Sequence, residues 1–137
     1  MSICYSFLNG NFINTHDAKI STNDRAFLFS HGVYESIAIV DKSPFYVKEH
    51  ISRLIHNLDQ LLIPNPYTEL EWITHIKQLI EKNNIQFAKC YIQVTGGAPD
   101  ERLHHNNDKP QIIIQLYPWD PSKKMGTHAI TVEDNRW

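Results

Sequence analysis

Apolar and polar positions change period repeatedly along the chain, and each change marks an element. Residues 3–8 are apolar and β-prone, and the Asn9-Gly10 pair behind them strongly favours a tight hairpin, so residues 11–14 read as the returning strand. Residues 17–30 are polar and irregular in spite of two phenylalanines. Residues 33–40 are rich in β-branched side chains and predict a buried strand. A turn through Asp41, Lys42, Ser43 and Pro44 follows, and then a short strand over residues 45–47.

Helical spacing begins at Lys48. Ile51, Leu54, Ile55, Leu58, Leu61 and Leu62 form one apolar stripe over residues 48–62, which Pro64 and Pro66 bring to a stop. Thr68, with Glu71 three positions later, is a capping-box pattern that opens a second helix with Leu70, Ile73, Ile76 and Ile80 on its face. Asn83-Asn84 suits its end, because Asn tolerates the left-handed terminal position. Residues 90–95 alternate as a half-buried strand does, and Gly96, Gly97 and Pro99 break it. Residues 110–117 read as a buried strand, and residues 128–132 as one more. Strands, two consecutive helices, then strands again predict an α+β fold with a mainly antiparallel sheet. The chain ends on an aromatic directly after that last strand, as an element interrupted by a cut would.

Composition narrows the class. The 137 residues are 42% apolar and 20% charged, values of a folded chain with a single core. A net charge of −2, with the basic residues scattered, speaks against nucleic acid or an anionic membrane as partner. No apolar run reaches the roughly 20 residues of a bilayer span, and no basic-then-apolar leader precedes residue 5. Cys4 and Cys90 make no disulfide framework; both read as small core residues in a reducing cytoplasm.

Chemistry could reside in three clusters. The loop over residues 96–109 holds Arg102, His104 and His105; a guanidinium fork suits a carboxylate or phosphate, and an imidazole adds a second donor. Most polar loops are only solvated connections, and by itself this one does not rise above them. His50 and Arg53 share a face near a helix start, where outward N–H groups favour an anion; two solvated side chains are the plainer alternative. His31-Gly32-Val33-Tyr34-Glu35 sets a Tyr and a Glu among apolar strand residues, where a hydroxyl can face a pocket or bond backbone. Adjacent His104 and His105 rarely meet at one metal ion. No phosphate-cradling glycine loop and no serine or cysteine nucleophile motif is present.

Taken together the clusters resemble a family. The run from Asp24-Arg25 to Gly32-Val33-Tyr34-Glu35 is similar to the "DR-x-x-x-F-G-D-G-V-Y-E" segment of fold-type-IV (class IV) pyridoxal-phosphate aminotransferases. His50-Ile51-Ser52-Arg53-Leu54 resembles their "H-x-x-R-L" helix, and Tyr91-Ile92-Gln93-Val94-Thr95 their "Y-x-Q-V-T-R-G" strand end. Val132-Glu133-Asp134-Asn135-Arg136-Trp137 matches the segment ahead of the cofactor lysine. Arg102-Leu103-His104 resembles the "R-x-H" of D-amino acid aminotransferases, carried there on a loop that reaches into the partner subunit. The resemblance implies the small-domain fold of those enzymes over residues 1–121, with residues 122–137 beginning the large cofactor-binding domain. It implies pyridoxal 5'-phosphate as cofactor, Arg53 on its phosphate, and Tyr34, Arg102 and His104 as the trap for the substrate's α-carboxylate. Three departures stand out: Gly96 where many relatives have Arg, Ser30-His31 in place of Gly-Asp, and a loop before Arg102 longer by one residue.

The same resemblance implies a cytoplasmic homodimer that exchanges the amino group of an amino acid, D-alanine for example, with a 2-oxo acid. The lysine that carries the cofactor would lie past Trp137, so the chain by itself is expected not to transaminate. Alternatives on the same scaffold are a 4-amino-4-deoxychorismate lyase and a branched-chain aminotransferase, against which Arg102 and His104 speak. A non-catalytic binding or dimerisation domain is the alternative from another class.

Overall fold

The computed structural model describes residues 4–102, 109–122 and 130–133. Its first hairpin follows directly from the turn residues. Strands β1 (Tyr5–Leu8) and β2 (Asn11–Asn14) are joined by Asn9 and Gly10, at φ 49° and 89°, the backbone that a two-residue hairpin of matching twist requires. After a 3₁₀ turn at Thr15–Asp17, a short helix α1 (Arg25–Phe29) begins where the Asp24 carboxylate accepts from the Ala26 N–H at 2.8 Å. It ends at Ser30, whose φ of 55° turns the chain into β3 (Gly32–Val40). Asp41 and Lys42, both at positive φ, make a second tight turn to the two-residue strand β4 (Ser43–Pro44). Helices α2 (Val47–Gln60) and α3 (Glu69–Asn83) follow, then β5 (Ala88–Thr95) and β6 (Gln111–Pro118).

The six strands form one sheet in the order β2-β1-β6-β5-β3-β4, antiparallel at every junction. This is the mainly antiparallel sheet with two consecutive helices that the sequence predicts. Alternation gives the sheet two unlike faces. Val33, Glu35, Ile37 and Ile39 of β3 point inward with Ile92 and Ile114, and Ile51, Leu54 and Leu58 of α2 with Trp72, Ile76 and Leu79 of α3 close over them. Tyr34, Ala38 and Tyr117 occupy the other face and are exposed. Among those residues, too, no helix is long and apolar enough to cross a membrane.

Several expectations fail locally, each for a physical reason. Residues 17–30 contain α1, whose single turn is too short to display a period. The strand expected at residues 45–47 lies instead at Ser43–Pro44, because the tight turn returns the chain to β3 at once; Tyr46, at φ 48°, already caps α2. Leu61 and Leu62 leave the apolar stripe, since α2 stops at Gln60 and Leu62, at φ 55°, turns outward. On α3 the buried face is Trp72, Ile76, Leu79 and Ile80, whereas Leu70 in the first turn is 73% exposed. Cys90 is a core residue but Cys4 is exposed. Of the last expected strand, Ile130–Val132 carries no strand structure, and His128 and Ala129 lie outside the described residues.

The capping box does form: Thr68 and Glu71 exchange both bonds, and Asn84 ends α3 at φ 46° in the left-handed region. The two α3 leucines provide a test of the face. Leu79→Ala is expected to cost about 2–5 kcal/mol in urea unfolding, and Leu70→Ala less than about 0.5 kcal/mol. Equal costs would place the helix on the wrong face.

Candidate active site

A carboxylate on the inward face of a strand needs partners, because desolvating a charge without them costs several kcal/mol. Glu35 occupies that position, only 2% exposed, and α2 supplies what it lacks. Arg53 donates from Nε to Oε1 at 2.6 Å and from Nη2 to Oε2 at 2.8 Å, a two-pronged pairing, while His50 Nδ1 lies 2.8 Å from Oε2. His50 and Arg53 can both reach it because three residues apart on a helix is the same face. Burial pushes the Glu35 carboxyl up, but bonds from Arg53 and His50, with their charges, hold it below the ordinary carboxylate range. Bonding and attraction from Glu35 raise the Arg53 guanidinium further, and Tyr34 adds to the effect.

Arg53 remains largely in water, its side chain 63% exposed. It opens onto a shallow cleft of about 670 Å³ lined by Lys48, Glu49, Ser52, Arg53, His56 and Glu69. Lys48, His56 and Arg53 give the cleft basic groups and Ser52 a hydroxyl, a set that suits a phosphate in spite of the carboxylates of Glu49 and Glu69; Arg53 spends Nε and Nη2 on Glu35.

Tyr34, next in the chain to Glu35, points to the opposite face and is 64% exposed. Its ring stacks on Tyr91 of β5, with centroids 5.6 Å apart and planes 22° from parallel. Beyond Tyr91 the open face forms a groove of about 770 Å³ that includes Ser36, Lys89, Tyr117 and Trp119. Arg53 and Tyr34 thus lie on two sides of one strand. Among the described residues β4 pairs only with Ile39 and Val40, so residues 32–37 of β3 have β5 on one side and no strand on the other. The Ala38 carbonyl accepts from Phe45 across that edge, and the pleat points the backbone groups of Tyr34 and Ser36 the same way. A ligand that touched both Arg53 and Tyr34 would cross this open edge.

Arg102 is exposed, with its guanidinium carbon 4.8 Å from the centroid of the Phe29 ring. His104, the other loop residue expected to grip a carboxylate, lies outside the described residues. Sequence reasoning gave Glu35 no role, although an acid in an inward strand position beside a His-x-x-Arg helix was there to be noticed. It also missed Asp24: its carboxylate is buried, caps α1 and accepts from Thr95 Oγ1 at 2.8 Å, joining α1 to the end of β5.

The sign of the Glu35 effect on stability follows from its lowered value. A carboxylate lowered in the folded state contributes stability above its ordinary range and loses it as acid protonates the folded form. Thermal unfolding between about pH 6 and about pH 3 is expected to fall more steeply for the parent chain than for Glu35→Gln, which has no charge to lose. Parallel curves would show that Glu35 carries no such linkage.

The Amino-transferase class IV family model matches residues 32–137. The chain is 36% identical over 136 residues to a D-alanine aminotransferase of Staphylococcus epidermidis, covering 96% of this chain and 48% of that protein. It is 35% identical over 139 residues to a D-alanine aminotransferase of Staphylococcus haemolyticus, with the same shares covered. It therefore spans about half the length of the curated relatives it matches. In fold it resembles a branched-chain amino acid aminotransferase from Escherichia coli, with a TM-score of 0.79 at 24% identity, over 86% of this chain and 42% of that one. With the family pattern covering most of its length, the chain belongs to the class IV aminotransferases.

Proposed function

We propose that this chain is the N-terminal part of a pyridoxal-phosphate enzyme that transfers the amino group of a D-amino acid, D-alanine for example, to a 2-oxo acid. In this reading residues 1–121 are the small domain and residues 122–137 begin the large one. The observation that carries it is Arg102: an exposed guanidinium braced on Phe29, at the position where D-amino acid aminotransferases carry Arg-x-His. The names of the staphylococcal relatives point the same way.

Each residue then has a task set by its chemistry. Arg53, aimed by Glu35 and His50, holds the cofactor's phosphate over the cleft beside α2. Arg102 and His104 take the substrate's α-carboxylate, with the Tyr34 hydroxyl as a third donor, and two donors from one guanidinium fix which way the amino acid lies. When bound, pyridoxal phosphate supplies the electron sink that lets the α-proton leave. A homodimer in the cytoplasm is part of the proposal, since the Arg102 loop would serve a partner's site.

Two substitutions in the full-length protein separate the tasks. Arg102→Ala is expected to raise KM for D-alanine about 10- to 100-fold, the worth of one charge-assisted bond, while pyridoxal phosphate binding is retained. Arg53→Ala should weaken the cofactor, read by titration, by a similar factor. An unchanged KM removes Arg102 from the trap. Turnover of L-leucine or aminodeoxychorismate in preference to D-alanine would replace the substrate class.

A further inference from the structure

Two departures from the family pattern, His31 and Gly96, are in contact. Gly96 does not have positive φ; a Cβ added there would instead collide with Nδ1 and Cε1 of the His31 ring. Glycine is needed because the imidazole occupies the space of a side chain at residue 96. The ring is fixed on both sides. Arg25 Nε–H donates to His31 Nδ1 at 3.1 Å, which makes Nδ1 the acceptor and leaves the proton on Nε2, 3.0 Å from the Leu61 carbonyl oxygen. One ring therefore joins α1, the end of β5 and the C-terminal end of α2.

The tie continues toward Arg102. The Arg25 guanidinium carbon lies 5.3 Å from the Phe29 ring centroid, and that of Arg102 lies 4.8 Å from the same centroid. Phe29 thus serves two guanidiniums, one buried and one exposed. Backbone bonds hold the frame around it: His31 N–H to Arg25 O, Gly96 N–H to His31 O and Arg25 N–H to Gly97 O, at 2.9 to 3.2 Å. They place the main chain. What they leave to the side chains is the direction of Arg25 and, through it, the seat of Phe29.

We propose that His31 is a positioning residue: its imidazole, seated over Gly96, orients Arg25 and so fixes the Phe29 surface on which Arg102 rests. Its effect on turnover depends on the role proposed for Arg102; its effect on where Arg102 stands does not. Two readouts in the full-length protein keep these apart. With 13C-labelled arginine, the side-chain protons of Arg102 should show the ring-current displacement that Phe29 causes. His31→Ala should abolish it, and His31→Gln, whose amide can both accept from Arg25 and donate to Leu61, should restore it. In kinetics with D-alanine, His31→Ala is expected to raise KM about tenfold, with kcat altered less than about threefold and Gln recovering most of the loss.

A cycle in thermal unfolding tests the shared space without any substrate. Gly96→Ala should lower the melting temperature in the parent and have little effect in the His31→Ala background, where the space is vacant. A ring-current displacement that persists in His31→Ala overturns the proposal, and so does a Gly96→Ala penalty that is the same in both backgrounds. Should the parent protein show no turnover of D-amino acids while both structural results hold, the substrate reading fails and His31 keeps its place.

Discussion

The buried carboxylate of Glu35 constrains how the sheet and α2 meet. A charge on the inward face of a strand is tolerable only if cations stand where the helix layer passes. His50 and Arg53 meet that demand from one face of α2, and in doing so they fix how the helix sits across β3. Hydrophobic contacts of Ile51, Leu54 and Leu58 provide the attraction but little direction, because apolar surfaces can slide and rotate at modest cost. The two-pronged bond provides the direction. The Arg53 side chain that makes this bond also lines the cleft beside Lys48 and Ser52. In the proposed enzyme one interaction would serve stability and cofactor binding together.

The two faces of β3 follow from the same alternation. Glu35 looks toward α2, so Tyr34 must look away from it, onto the open face with Tyr91. A cofactor and its substrate gripped at opposite ends would have one end served from each face, and among the described residues no strand pairs with residues 32–37 on the side that such a ligand would cross. The tight turn at Asp41 and Lys42 is responsible. It lets β4 pair with only Ile39 and Val40 before the chain departs into α2, and a longer β4 would seal the edge.

Much of the fold could be read from the sequence because its signals are local. Asn9-Gly10, the Thr68 and Glu71 capping box and the terminal Asn84 act within a few residues of themselves, and the structure contains each as expected. The faces of the helices were less legible. Leu70 and Leu62 are apolar but exposed, since a hydrophobic period says nothing about where a first turn or a terminal residue points. Of the site, Arg53 could be placed near a helix start, yet its partner Glu35 is a contact between residues 18 apart in sequence, and no pattern on either element names the other. Tyr34 was legible as a strand residue, not as one on the face away from Arg53.

α1 shows why such local reading runs out. Its single turn has no period to detect, and it owes its existence to groups supplied by another part of the chain. Asp24 caps it with one carboxylate oxygen while Thr95 donates to the other, and Arg25 N–H bonds to Gly97 O. Neither partner can be inferred from residues 17–30. Once those bonds exist, Phe29 is carried to the surface that Arg102 uses, and His31 falls over Gly96. The polar, irregular segment is therefore the piece whose form depends most on β5. It also carries the Phe29 ring on which Arg102 rests.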